Sequence, residues 1–570
     1  MSTPLPAVRV ICCLVAVLAG GFCASSTQAA EPYWPETAVI IGEIRQPLVA
    51  WEHPLIKDAW QTIVNSPGYQ VEQSAPALER LRQGQQFLEK ALGTTWYEGL
   101  NKLSAGGMRF ALIPSPGKQP VLQAVISTAD AETVQNFVAG LHAELDRQRV
   151  ANPKVPVVQS AKYNELTAYQ LGEACYAVAG RHLLFANKGD GLKWLIEHPV
   201  PEPAAGAEDT EPLPPGAHIE FRLDALRKAG TPQFTLPAAN AGQVLAVGGY
   251  LDLAQRAKTL TADLVFLPKS IALEVAVDAG GEGMPAALQP FFASPHGVAA
   301  PLLKVPAMVY SATLYRDFAA LWEQKTALIS APQIAQVEQE NEQQAKKSGI
   351  GGLDILRSMG PHLRLVVARQ DECVYRQRPA ERLPASAFVV DVPDEAQFRA
   401  KILDPLNKLV RSPLGLALGF VKTGNYKEAA YTAFRVREMV EEAPREDDFR
   451  FSLNPSMTLT RGHFIIGSTE EIVRQVIDEL DRQAALTQTS PAETLLSDHQ
   501  TLSLPELGRL AQEFKDRTLR SAILERGLTV EEGERELETI TDLLSRLGSF
   551  NAETHLEASR AMFRLSLGEE

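Results

Sequence analysis

Segments of the first half of this chain return in the second half, in the same order and about 255 to 290 positions later. Such recurrence restricts a fold more than any single motif does. Ala38 to Ile41 is answered by Ala307 to Tyr310, Trp51 by Trp322, Met108 to Leu112 by Leu363 to Val367, and Val121 to Ser127 by Ala387 to Asp391. Asp130 and Asp394 each precede a run of helical character, where a carboxylate accepts from the unpaired amides of a first turn. Tyr163-Asn164-Glu165 returns as Tyr426-Lys427-Glu428.

Two tight hairpins follow. Gly180-Arg181 separates the apolar runs Cys175 to Ala179 and His182 to Asn187, and Arg461-Gly462 separates Ser456 to Thr460 from His463 to Ser468. Two-residue connections bearing glycine suit a right-twisted antiparallel pair, because central residues there need positive φ. Each hairpin runs into a helix with apolar residues at helical spacing, Leu192, Leu195 and Ile196 in one and Val473, Val476 and Ile477 in the other. Ser468 with Glu471 reads as a capping box. The pattern predicts an α+β fold of two tandem copies of an antiparallel-sheet unit, each a ββαβββα-like module followed by a second strand and helix subdomain. The boundaries read as a signal peptide over 1–30, a first module over 31–200, a Pro/Ala/acid linker over 201–216 and a second subdomain over 217–300. The second copy reads as a module over 301–485 and a subdomain over 486–570.

Arg9 precedes the apolar run Val10 to Cys23, and Thr27 and Ala29 fit the −3 and −1 positions of a signal-peptidase site. The run is shorter than the roughly 20 residues that a bilayer span needs, and Phe22 before Cys23 disfavours lipid attachment there. No later stretch reaches 18 uninterrupted apolar residues, so the sequence predicts a periplasmic or secreted protein without a transmembrane segment. Cleavage leaves only Cys175 and Cys373, too few for a disulfide framework, and both read as unpaired thiols. With 55 basic against 69 acidic residues the formal charge is 55 − 69 = −14. That charge repels nucleic acid, which is not an expected partner.

The motif that comes nearest to a catalytic set is Ser115-Pro116-Gly117-Lys118 with Ser497-Asp498 and Lys422-Thr423-Gly424, the elements of a serine β-lactamase or penicillin-binding protein. Pro116-Gly117 breaks the helix that the Ser-x-x-Lys pair requires, His499 stands where Asn belongs, and Lys-Thr-Gly comes first instead of last. Gly280 to Gly283 lacks the lysine and helix start of a phosphate loop. The acids Glu441, Glu442, Glu446, Asp447 and Asp448 match no calcium-loop spacing, and Pro444-Arg445 interrupts them. His182 and His463 recur just after the hairpin turns, Arg109 and Arg364 at strand starts, and the two tryptophans in helices; each is expected to be structural. Gln336 to Lys347 reads as an exposed helix able to touch a partner.

Ala177 to Asn187, leading into an amphipathic helix, together with the leader and the repeated strands and helices, resembles large exported proteins of planctomycete type with internally duplicated α+β units. That resemblance brings no catalytic residue. No catalytic, cofactor-binding or metal-ligating residue is therefore expected. The sequence reads as a non-enzymatic binding or scaffold protein with an envelope or extracellular partner; a hydrolase of an unrecognised family acting on envelope polymers is the alternative, and solute or lipid carriage a third. The mature N-terminus is expected at Ala30 or Glu31, and N-terminal sequencing of the exported protein that returns Met1 or Cys23 would overturn the leader.

Overall fold

The computed structural model describes residues 33–46, 52–67, 85–115, 119–200, 216–229, 240–280, 285–291, 299–376, 379, 381–412, 419–438, 448–487, 496–556 and 559–569. The leader, the linker up to Pro215 and Trp51 lie outside them. The chain divides into one unit of Met1–Gln233, Ala257–Asp278 and Glu570, and another of Phe234–Arg256 and Ala279–Glu569.

In the first unit the strands are β1 (Ile40–Arg45), β2 (Met108–Ile113), β3 (Val121–Ser127), β4 (Gln159–Tyr163), β5 (Leu166–Leu171), β6 (Ala174–Ala179), β7 (His182–Ala186), β8 (Gly216–Arg222), β9 (Thr259–Phe266) and β10 (Ser270–Asp278). They pair antiparallel in the order β4-β5-β6-β7-β3-β2-β1-β8-β9-β10. One face carries Met108, Phe110, Ala124 and Phe185 against Val134, Phe137, Val138, Leu141 and Leu145 of helix Ala131–Ala151. Their spacing of three and four residues makes one apolar stripe, and the Asp130 side chain accepts from the Thr133 amide at 2.7 Å to start the helix. The other face carries Ala111, Val125 and Leu184 against Leu192, Leu195 and Trp34. The Phe110 ring lies over Gly42 so closely that a Cβ there would stand 2.1 Å from Cζ, which is why this strand position is glycine.

The second unit contains β11 (Met308–Tyr315), β12 (His362–Ala368), β13 (Ala385–Asp391), β14 (Gly419–Tyr426), β15 (Ala429–Val436), β16 (Ser456–Thr460), β17 (His463–Gly467), β18 (Leu496–Ser503), β19 (Ser549–Leu556) and β20 (Arg560–Gly568). They pair antiparallel in the order β14-β15-β16-β17-β13-β12-β11-β18-β19-β20. Helix Glu470–Thr487 buries Ile472, Val473, Val476, Ile477 and Leu480 on Val366, Ala387, Val389 and Ile465.

This arrangement corrects the expected fold class. In each unit the ten described strands pair in one antiparallel sheet, not as a module with a separate strand and helix subdomain. The split fails because β8 bonds β1 along its whole length, Ile40 opposite Phe221 through Arg45 opposite Gly216, and β18 bonds β11. Strands assigned to separate subdomains thus extend the sheet of the modules. A backbone edge left open by one segment is a template that a later segment satisfies. The α+β content itself stands.

Both hairpins form, with φ of +57° at Gly180 and of +52° and +73° at Arg461 and Gly462. The capping box does not. The Ser468 hydroxyl accepts from the Ser386 amide of β13 at 2.8 Å, and Thr469 caps the helix, its hydroxyl accepting from the Ile472 amide at 3.2 Å.

An ion pair anchors the second unit. Arg316, just past β11, donates from Nη1 and Nη2 to the two carboxylate oxygens of Asp498 in β18, each at 2.8 Å, with both side chains 7% exposed. The Tyr250 hydroxyl of helix Ala241–Arg256 donates to Asp498, and the guanidinium lies 4.3 Å from the Phe291 ring centroid. Removing one partner of such a pair strands a buried charge and costs about 3–5 kcal/mol. Asp498→Ala is therefore expected to lower the unfolding free energy measured by urea denaturation by that amount, with a correspondingly lower midpoint, and Arg316→Met with Asp498→Leu to recover most of it. A wild-type midpoint for Asp498→Ala would show that the pair does not anchor the unit.

Candidate functional site

Three polar clusters sit on the sheets, each assembled from side chains that strand pairing brings together. In the second unit Asp391, at the end of β13, stands opposite His463 of β17. Its carboxylate lies 3.0 Å from His463 Nδ1 and 2.7 Å from His362 Nδ1 of β12. Arg364, 3% exposed, places Nη2 at 3.3 Å from His463 Nδ1 and 3.7 Å from Asp391, and donates from Nη1 to Gln483 at 3.3 Å. Burial alone would raise the Asp391 pKa. The hydrogen bonds from His362 and His463, with the charge of Arg364, outweigh it and hold the carboxyl well below the usual carboxylate range. The guanidinium is pushed down by burial, and Asp391 and Glu479 oppose that shift.

A second cluster surrounds Glu470, the first residue of helix Glu470–Thr487. Arg435 of β15 donates to it from Nε at 2.8 Å and from Nη2 at 2.5 Å. The Tyr431 hydroxyl and Arg474 Nη2 donate at 3.1 and 3.2 Å, and Lys422 Nζ of β14 lies 3.6 Å away. Burial pushes the Glu470 carboxyl up, but these donors, Arg435 first, leave it below its ordinary value.

The third cluster is a row across the first unit, in which register sets Arg109 opposite Glu43, Glu43 opposite His218 and His218 opposite Asp263. Arg109 Nε donates to Glu43 at 3.2 Å, and His218 Nδ1 lies 2.9 Å from the buried Asp263 carboxylate. The bond to Asp263 raises the His218 pKa above 6.5 although burial opposes it.

The residues singled out in the sequence meet varied fates. Ser115 lies in the connection between β2 and β3, and Pro116 to Lys118 lie outside the described residues. Lys422-Thr423-Gly424 is strand β14, and Asp498 belongs to the buried ion pair, so the resembled catalytic set does not come together. His182 Nδ1 is 2.9 Å from the Ser127 hydroxyl. Trp322 is a core side chain, 1% exposed. Helix Ala331–Ser348 buries none of its residues. Asp448 accepts from Arg450 Nε at 2.9 Å, while the acids from Glu441 to Asp447 and Gly281 to Gly283 lie outside the described residues. Cys175 and Cys373 are free thiols. Among the described residues no group of three or more His, Cys, Asp or Glu side chains could hold a metal ion, and no helix is long and apolar enough to cross a membrane. Sequence reading missed His218, Asp263, Asp391, Glu470 and Arg316, whose partners are brought to them only by strand pairing between segments distant in sequence.

No family model and no curated protein matches the chain. Among solved structures, crystal form III of TP0453 matches with a TM-score of 0.22 and 10% identity over 46% of this chain and 85% of that chain. Crystal form I of TP0453 matches at the same score and identity over 46% and 83%. Likeness at that score supports no argument about function.

The first-unit row makes stability depend on pH. A histidine whose folded pKa is raised adds stability that is complete below its unfolded value of 6.5 and is lost as pH rises through the folded pKa. The difference in unfolding free energy between the protein and His218→Gln is therefore expected to be larger at pH 5.5 than at pH 8.5. A difference independent of pH would exclude the His218–Asp263 pair as its source.

Proposed function

We propose that this chain is an exported, non-enzymatic binding or scaffold protein of the bacterial cell envelope. The observation that carries this reading is an apolar sheet face in the second unit that its helices cover at one end. Leu363, Val390 and Phe464 are buried there beneath Phe398, Ile402 and Leu403. Two residues along each strand, Leu365, Phe388 and Ile466 stand in register across β12, β13 and β17. Phe388 is 39% and Ile466 40% exposed. In the next row Ser386 of β13 stands opposite Val367, and from Val367 the apolar residues Tyr310, Leu502 and Phe550 follow across β11, β18 and β19, the last also exposed.

Contiguous apolar surface on a sheet loses free energy to water until something covers it, so soluble proteins keep such patches small or use them for binding. Two of the polar clusters support the same reading: the Asp391 and Glu470 carboxylates are held ionised by donors of the chain itself, which suits structural pairing better than proton transfer near neutral pH. Phe388→Glu with Ile466→Glu alters only exposed positions. This double variant should keep its circular dichroism spectrum and lose envelope-fraction retention at least ten-fold, and incubation of the protein with purified envelope polymers should release no soluble fragments. Unchanged retention, or released fragments, would overturn the proposal.

A further inference from the structure

The open row of the second-unit sheet has a covered counterpart in the first unit. Phe388 of β13 lies opposite Leu365 of β12 and Ile466 of β17, and Met457 of β16 follows. In the first unit β2, β3, β7 and β6 neighbour one another in the same way and set Phe110, Ala124, Phe185 and Tyr176 in such a row. All four are buried. Helix Ala131–Ala151 covers them: it buries Phe137, Leu141 and Leu145 against this face, and His142 Nε2 lies 2.7 Å from the Tyr176 hydroxyl.

The helix of the second unit begins alike and then departs. Counted from the capping carboxylates Asp130 and Asp394, buried Phe398 and Ile402 stand four and eight residues on, where Val134 and Val138 do. Seven, eleven and fifteen residues on, Phe137, Leu141 and Leu145 are answered by Lys401, Pro405 and Leu409. Arg399–Leu403 is a π turn, after which the Asp404 amide donates to the Arg399 carbonyl, and Pro405 opens helix Asp404–Val410. A π turn followed by proline bends a helix, since proline has no amide to continue the ladder and its ring crowds the carbonyl four residues back. Beyond that point the helix buries none of its residues, and Leu409 is 51% exposed. The stripe that would close the row is lost, while the row itself is apolar.

We propose that this row takes an amphipathic helix of another protein, laid as the second half of helix Ala131–Ala151 is laid in the first unit. The backbone beneath the row excludes an added strand, because β12, β13 and β17 are each paired on both sides. An occupant must therefore bring a backbone whose donors and acceptors are already satisfied, as those of a helix are. Its apolar side chains recur at intervals of three and four residues, the spacing of Val138, Leu141 and Leu145. Phe388 and Ile466 carry no charge, so selection rests on that spacing and not on ion pairing. This names the partner class for the binding reading and rests on it.

The probes are three fluorescein-labelled peptides of eighteen residues, long enough to form a helix on binding. The first sets Leu at helical three- and four-residue intervals among equal numbers of Glu and Lys, the second has the same composition with Leu alternating, and the third is the first with every Leu replaced by Gln. The first is expected to bind at least ten-fold more tightly than the other two by fluorescence anisotropy, and to protect Phe388 from hydroxyl-radical oxidation. Phe388→Glu with Ile466→Glu should weaken it at least ten-fold. Comparable binding of the helical and alternating peptides, or binding that leaves Phe388 as reactive as before, would overturn the helical partner. So would a dimer in sedimentation that the double variant dissociates, or phosphatidylglycerol vesicles bound in place of the peptide. If no peptide binds while envelope retention still falls in the double variant, the helical partner is wrong and the binding face stands, so the two failures are read separately.

Discussion

The second unit depends on a charge that is buried and fully accounted for. Asp498 Oδ1 accepts from Arg316 Nη1 and from the Tyr315 amide at 3.2 Å, and Oδ2 accepts from Arg316 Nη2 and Tyr250. Taking both ions out of water costs several kcal/mol each, so the pair is favourable only because its oxygens are met by directed donors. A well-packed apolar set could stabilise the unit as much. What the pair adds is direction, because a forked guanidinium and a carboxylate fit in few orientations. Strand β18, the end of β11 and helix Ala241–Arg256 are fixed to one another by that fit.

The same economy of donors governs the clusters at Asp391, Glu470 and Asp263. Burial alone would raise the pKa at Asp391 and at Glu470. Each instead takes cationic or imidazole donors from neighbouring strands, and stays ionised at Asp391 and Glu470. These are cross-strand pairs, the unit from which sheets draw specificity. They can form only after pairing has placed residues distant in sequence side by side.

That order of events decides what the sequence discloses. Hairpins at Gly180-Arg181 and Arg461-Gly462 were legible because a two-residue turn with positive φ leaves a local signature. The caps at Asp130 and Asp394 were legible for the same reason, each carboxylate accepting from an amide three residues on. The Ser468 cap was not, since its hydroxyl is taken by Ser386, 82 residues away. Ser497-Asp498 carried a misleading local resemblance, and its true partner Arg316 lies 182 residues before it. The expected subdomains failed on the same ground: an acidic, proline-rich linker is visible in sequence, whereas the edge of β1 that recruits β8 beyond it is not.

Register is also what permits an apolar face to stand open. A strand slipped by one residue turns every side chain to the other side of the sheet, and faces without polar markers slip most readily. Phe388 and Ile466 occupy such a face, where hydrophobic contact alone would not distinguish one register from the next. Asp391 and His463 lie further along the same two strands and point to the opposite side, beneath helix Glu470–Thr487, where Arg364 meets Gln483. A one-residue slip of β13 against β17 would drive Phe388 under the helix and carry Asp391 away from both histidines, leaving the buried Arg364 guanidinium without its carboxylate. The ionic cluster therefore pins the register that the exposed apolar rows cannot specify, and the place of Phe388 and Ile466 on the outer face follows from charges set on the inner one.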